Sequence, residues 1–205
     1  NVDLDSDNGL TQSAAITATS LDVTNTVAGD VVLDQNNDVA TVTITNTVGD
    51  VTYTTISSSI TDINGIQGVN IALNTDNGVS QSAAITATNS LTVTNAVSGN
   101  VVLDQNNDVV TVAIANAVGD VTYNTNRATA TDIAGIQGVN VDLNSENGIT
   151  QSAAITATSL DVTNTVDGDV VLANAFNDVD SLSVINTGRS ITYFDSDDLI
   201  LTQLD

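Results

Sequence analysis

Oxygen-bearing side chains dominate the residues of this chain that could do chemistry. Asp34, Asn36, Asn37 and Asp38 fall within five positions, and Asp104, Asn106, Asn107 and Asp108 repeat the pattern. Carboxylate and amide oxygens crowded into a turn are the ligands that calcium takes. Asp34, Asn36, Asp38, Asp104, Asn106 and Asp108 are therefore candidate calcium ligands, and calcium is the one cofactor the sequence suggests. Neither an EF-hand spacing nor a GGxGxD nonapeptide accompanies them. Asn and Asp that cap their own backbone explain such turns equally well, with diffuse cation screening in place of specific sites.

Other chemistries lack their parts. The chain has no His and no Cys, which removes zinc sites, thiolate nucleophiles and the usual base of a serine triad. Polysaccharide cleavage needs two positioned carboxylates, or a base in an electropositive groove with sugar-stacking aromatics. Arg127 and Arg189 are the only basic side chains, and Tyr53, Tyr123, Tyr193, Phe176 and Phe194 the only aromatic ones. Catalytic groups occur once in a protein, whereas nearly every carboxylate here recurs at a fixed period, so no enzyme and no catalytic residue is expected. The three tyrosines fall at equivalent positions and could form a sugar-stacking stripe, but Leu stands at most such sites, and an inward, packing role is the expectation. Thr17/Thr19, Thr86/Thr88 and Thr156/Thr158 alternate as an ice-binding ladder would, yet Thr41-Val-Thr-Ile-Thr returns as Thr111-Val-Ala-Ile-Ala, so the ladder is not kept.

Charge narrows the partners. There are 25 acidic residues against 2 basic ones, a net charge of −23, and Glu146 is the only glutamate. Such a field repels phosphate backbones and lacks the cations that release counterions from nucleic acid, so nucleic acid is excluded as a partner. Apolar runs never approach the roughly 20 residues of a membrane span. With Asn1 in place of a start methionine or signal sequence, the chain reads as a processed or excised piece.

Repetition says what positions these residues. The string Asn8-Gly-Leu-Thr-Gln-Ser-Ala-Ala-Ile-Thr recurs at Asn77 and Asn147, after 69 and then 70 residues. A finer period is an apolar residue, a variable one, then Leu or Tyr, as at Val2/Leu4, Val31/Leu33, Val51/Tyr53, Ile71/Leu73, Val101/Leu103, Val121/Tyr123, Val141/Leu143, Val170/Leu172 and Ile191/Tyr193. Its steps predict three repeats, 1–69, 70–139 and 140–205, each with two rungs of about 20 residues and one of about 30. The middle residue of each triplet, Asp3 and Asp142 among them, faces solvent, and its neighbours face inward. Asn-Gly pairs supply turns, and β-branched residues favour strands. The expected fold is a single all-β domain over 1–205: a parallel β-helix, or β-solenoid, of about nine rungs in three repeats of about 70 residues. Tandem small β-sandwich modules are the alternative, but a sandwich needs no equal strand spacing and the repeat is shorter than the roughly 100 residues of such a module.

The alternation of an ITQSA-type strand (Gly148 to Thr158), a GDVVL-type strand with its corner (Gly168 to Val179) and an SITY strand with a following Asp-rich turn (Ser190 to Leu201) resembles the filamentous-haemagglutinin-type repeats of large exported bacterial proteins. That resemblance implies a right-handed β-helix and a structural, non-enzymatic role in a secreted or cell-surface filament or adhesin stalk. It extends to partners: the chain's own copies or adjoining repeats stacked end to end into a fibre, with glycans of a host or neighbouring cell met through other regions. A carbohydrate- or cation-binding surface module, calcium-stabilised, is the alternative function. No amino-terminal secretion domain of that family and no RGD tripeptide is present in these residues.

Overall fold

A computed structural model of the chain describes residues 1–187 and 189–205. Sixteen strands follow one another: β1 (Val2–Ser6), β2 (Leu10–Thr11), β3 (Thr17–Asn25), β4 (Val31–Asn46), β5 (Val51–Thr55), β6 (Thr61–Thr75), β7 (Val79–Asn95) and β8 (Val101–Ala115) make up the first half. The second half holds β9 (Val121–Thr125), β10 (Thr131–Gln137), β11 (Asn140–Ser145), β12 (Ile149–Asn164), β13 (Val170–Leu172), β14 (Asp178–Asn186), β15 (Ile191–Tyr193) and β16 (Ile200–Leu204). No helix occurs among the described residues, and the strand pairings are parallel, each coil stacking on the next. The chain is a β-solenoid of about ten turns.

Interior side chains line up in three columns that run the length of the rod. The first descends through Leu4, Val23, Ile44, Ile66 and Ile85, then shifts by two residues to Ala87, whose partner Val109 continues it through Thr131, Ile149, Val170 and Ile191. The second runs Leu10, Val31, Val51, Ile71, Leu91, Val112 and Ile133, then shifts to Ile136, which pairs with Ile155, and to Ala157, which pairs with Val179. The third runs Ala18, Val39, Thr61, Val79, Val101, Val121, Val141, Leu160, Leu182 and Leu201. Because successive strand residues point to opposite faces, Val101 and Leu103 are fully buried while Val102 is half-buried, as the triplet pattern predicts.

Two parts of the expected rung count need correction. About ten turns form rather than nine, and no 30-residue rung exists. Val141 stacks on Leu160 and not on Val170, which pairs instead with Ile149 and Ile191. Each long step is one turn plus a change of column: the triplets at Val2, Ile71 and Val141 stack on Leu21-Asp22-Val23, Leu91-Thr92-Val93 and Leu160-Asp161-Val162, where Leu precedes Val and the search for Val before Leu passes over them. Packing accepts either order, since Val2 meets Leu21 and Leu4 meets Val23, one large and one small side chain at each level.

A turn of about 20 residues does not divide a repeat of about 70, so equivalent residues change column. Val31 lies in the second column, Val101 in the third and Val170 in the first. Each repeat thus advances three whole turns and one column.

Tight stacking at one corner leaves no room for a side chain. A Cβ on Gly49 would collide with the carbonyl of Gly29 beneath it, and Gly29 itself adopts φ +83° against Asn8 and Gly9. Buried asparagines satisfy the polar groups of the same corners. Asn25 Nδ2 donates to the carbonyls of Ala28 and Gly29 at 3.0 and 2.9 Å and to Asn46 Oδ1 at 3.1 Å. Asn95 and Asn164 make the equivalent bonds in the later repeats. Leaving such turn carbonyls buried and unpaired would cost about 1–3 kcal/mol each.

Candidate functional site

The corner after each Val-Val-Leu strand was the leading candidate from sequence, and its side chains divide by parity. Asp34, Asn36 and Asp38 point outward, whereas Asn37 is wholly buried. Asn37 forms a reciprocal amide pair with Gln12: Gln12 Nε2 donates to Asn37 Oδ1 at 2.5 Å, and Asn37 Nδ2 to Gln12 Oε1 at 3.2 Å. The Asn37 amide also accepts from the Ile16 N–H at 2.8 Å and donates to the carbonyls of Leu33 and Thr54. Gln81 with Asn107 and Gln151 with Asn177 rebuild this pair in the other repeats. The inward asparagine therefore caps the corner, the capping reading of the sequence, while its glutamine partner was unread even though it recurs in every QSAAIT string.

The outward carboxylates are spoken for in different ways. Asp34 and Asp104 accept from the neighbouring Gln35 and Gln105 side chains at 2.9 and 3.1 Å. Asp108 forms an ion pair with Arg127 at 3.1 Å, and Ser57 stands where the first repeat has the residue equivalent to Arg127. Among the described residues no three or more Asp, Glu, His or Cys side chains come together in a way that could hold a metal ion. Asp34, Asn36 and Asp38, like Asp104, Asn106 and Asp108, thus offer two carboxylates and one amide per corner.

Carboxylates also meet in register along the outer faces. Asp3 sits beside Asp22, and Asp142 beside Asp161, on adjacent parallel strands. Partial burial, countered by the Asn144 amide and reinforced by the Asp161 charge, raises the pKa of Asp142 above 3.8. Near the end of the described chain, desolvation and then Asp178, Asp195, Asp180 and Asp198 raise that of Asp197. The exception in sign is Asp167, whose bidentate pair with Arg189, at 2.6 and 3.1 Å, lowers it.

Tyr53 and Tyr123 are core residues, each 1% exposed, taking the place of Leu between Leu33 and Leu73 and between Leu103 and Leu143. No sugar can stack on them. Neither hydroxyl has a hydrogen-bond partner. Burial pushes the Tyr53 phenol up to about 12 and that of Tyr123 higher still. Tyr193 is half-buried, and its phenol is raised by burial and then by the Asp195 charge.

The surface itself is shallow. Besides a trough of about 550 Å³ lined by Thr17, Asp38 and Ser57, two lie over the Ile-x-Gly-Ile bulges: one of about 430 Å³ over Ala113, Ala115, Gly135 and Ala154, and one of about 280 Å³ over Thr43, Thr45, Gly65 and Ala84. They occupy equivalent places in two repeats and so lie on different sides of the rod, the second column for the larger and the first for the smaller. No ionisable side chain lines either one. Exposed apolar side chains include the loop-tip valines Val27, Val48, Val97, Val118 and Val166, and Phe176 and Phe194. The arrangement can pair backbones, bury apolar side chains and present rows of carboxylates.

Comparison with known proteins returned no matching family model, no matching curated protein and no matching solved structure.

Proposed function

We propose that this chain is a non-enzymatic structural rod, a segment of a secreted or cell-surface filament or adhesin stalk of the filamentous-haemagglutinin type. The observation that carries the reading is the set of three interior apolar columns, repeated with the same corner chemistry in each repeat. A protein so built spends its sequence on length. Parallel crossovers of this kind favour the right-handed sense that the resemblance implies. Stacking of copies or adjoining repeats end to end fits the terminal coils, because among the described residues β1 pairs only with β3 and β16 only with β14, and open strand edges recruit further strands.

Electron microscopy of the purified chain over a concentration series tests this. The expected particle is a straight rod of about 48 Å, ten turns at about 4.8 Å each, and fibres with that axial repeat as concentration rises. Turnover of any polysaccharide or glycoside in a hydrolase and lyase screen would sink the non-enzymatic reading. The in-register carboxylates of Asp3 with Asp22 and Asp142 with Asp161 favour a second reading, a cation-stabilised surface module. Its test is a saturable gain in stability from calcium at matched ionic strength.

A further inference from the structure

Asn-Gly is the dipeptide most prone to spontaneous deamidation, because glycine offers no side chain to hinder attack by its own amide nitrogen on the asparagine side chain. In that reaction the glycine N bonds to the asparagine Cγ, the Cγ–Nδ2 bond breaks, and Nδ2 leaves as ammonia with the proton that the glycine amide gives up. Water then opens the resulting succinimide at either carbonyl to give aspartate or isoaspartate. The chain carries four such bonds: Asn8-Gly9, Asn77-Gly78 and Asn147-Gly148, one in each repeat, and Asn64-Gly65 at the bulge of the first repeat, which has no counterpart in the others.

In the three that recur the attacking group is held. Gly9 N–H donates to Asn25 Oδ1 at 3.0 Å, Gly78 N–H to Asn95 Oδ1 at 2.9 Å and Gly148 N–H to Asn164 Oδ1 at 2.9 Å. Each acceptor is a buried side chain from a neighbouring coil, pinned by its own donations to turn carbonyls. The electrophiles differ. Asn77 Nδ2 donates to the Ser57 carbonyl at 2.6 Å and its Oδ1 accepts from Ser98 at 2.8 Å, and Asn147 Nδ2 donates to the Arg127 carbonyl at 2.5 Å. Asn8 is exposed, and the structure gives its side chain no such bond.

We propose that the three recurring Asn-Gly bonds are latent modification sites that the buried asparagines Asn25, Asn95 and Asn164 hold closed, and that of these three Asn8 is the first to react. A succinimide requires the glycine nitrogen to surrender its proton and swing toward Cγ, and an N–H committed to a fixed, buried acceptor does neither until the coil opens. This holds whether or not the rod serves a filament. Each deamidation adds a carboxylate to a chain already at −23, and isoaspartate adds a backbone carbon to a turn that is stacked on its neighbours.

The test is peptide mapping with isoaspartate detection on the full chain, aged at mildly alkaline pH natively and in concentrated urea. In urea the three sites, flanked alike, should react at similar rates. Natively all three should slow, with Asn8 ahead of Asn77 and Asn147. Asn95→Ala should speed Asn77 about tenfold, the factor equal to one hydrogen bond of about 1.4 kcal/mol, while leaving Asn147 unchanged. Asn116→Ala is the matched control, since it removes the partner of Asn95 at 2.9 Å without touching Gly78. If Asn77 deamidates as fast natively as in urea, or if Asn116→Ala accelerates it as much as Asn95→Ala, the held amide does not govern the reaction and the proposal fails.

Discussion

Removing the hydroxyl of Tyr123 should make the protein more stable. The oxygen is buried with no partner, and the nearby Thr125 hydroxyl is committed to the Asn107 carbonyl and Thr131 at 3.1 and 3.0 Å. An unsatisfied buried hydroxyl costs about 1–3 kcal/mol. Tyr123→Phe deletes that cost and leaves a void of about 10–15 Å³, whose penalty at about 24 cal/mol per Å³ is about 0.3 kcal/mol. The net gain is about 1–2 kcal/mol, read by circular dichroism as a rise in Tm of about 2–8 °C for a chain of this size. The alkaline limb supplies an independent reading. The folded phenol pKa lies above its ordinary 10.0, so Tyr123 favours the folded state below pH 10 and that contribution is lost as pH rises toward the folded value. With no Lys, His or Cys in the chain, tyrosines dominate titration in that range. Alkaline unfolding should therefore shift upward in Tyr123→Phe and further when Tyr53→Phe is added. A variant destabilised by more than about 1 kcal/mol, with an unmoved alkaline midpoint, would refute the reasoning.

Leu103→Asp buries an unpaired charge and should cost about 3–5 kcal/mol, whereas Val102→Asp, at a position where Asp3 and Asp142 already stand in other rungs, should cost under about 1 kcal/mol by urea titration. Gly49→Ala meets the Gly29 carbonyl head-on and should cost more than about 2 kcal/mol. Gly65→Ala meets only ordinary contacts, with Ala84 O at 3.6 Å and Ala83 Cβ at 3.7 Å, and should show only the roughly 1 kcal/mol strain of its φ of +91°. Asp142 and Asp197 hold their protons more tightly folded than unfolded, so stability should rise as pH falls from neutral toward the range just above 3.8. Sodium chloride at pH 7 should reproduce part of that gain by screening, and Asp142→Asn should diminish the pH effect; a flat Tm across pH and salt would contradict both.

Much of the fold was legible because burial follows alternation. Val101, Val102 and Leu103 declare their faces in three letters, and the tolerance for Asp at the middle position completes the reading. The turn count was less legible. Leu91-Thr92-Val93 packs as well as Ile71-Ala72-Leu73, on which it stacks, because a column needs matched volume at each level and is indifferent to which residue supplies it. The corner oxygens were found but their directions were not. Asn36 and Asn37 are the same residue type, and only the strand's parity sends one to solvent and the other to Gln12. Asn25, Asn95 and Asn164 escaped notice because a polar residue in a polar stretch looks like surface until its neighbours' carbonyls are seen around it.

The bulges at Gly65 and Gly135 each put extra backbone into one strand of a stacked pair, and because strands lie across the axis the extra residue swells that coil outward on one side. Had the repeat been a whole number of turns, every such swelling would fall on the same side and form one ridge along the rod. The one-column advance per repeat places the first bulge over the first column and the next over the second. The swellings are therefore dealt out around the circumference, and no side of the rod carries them all.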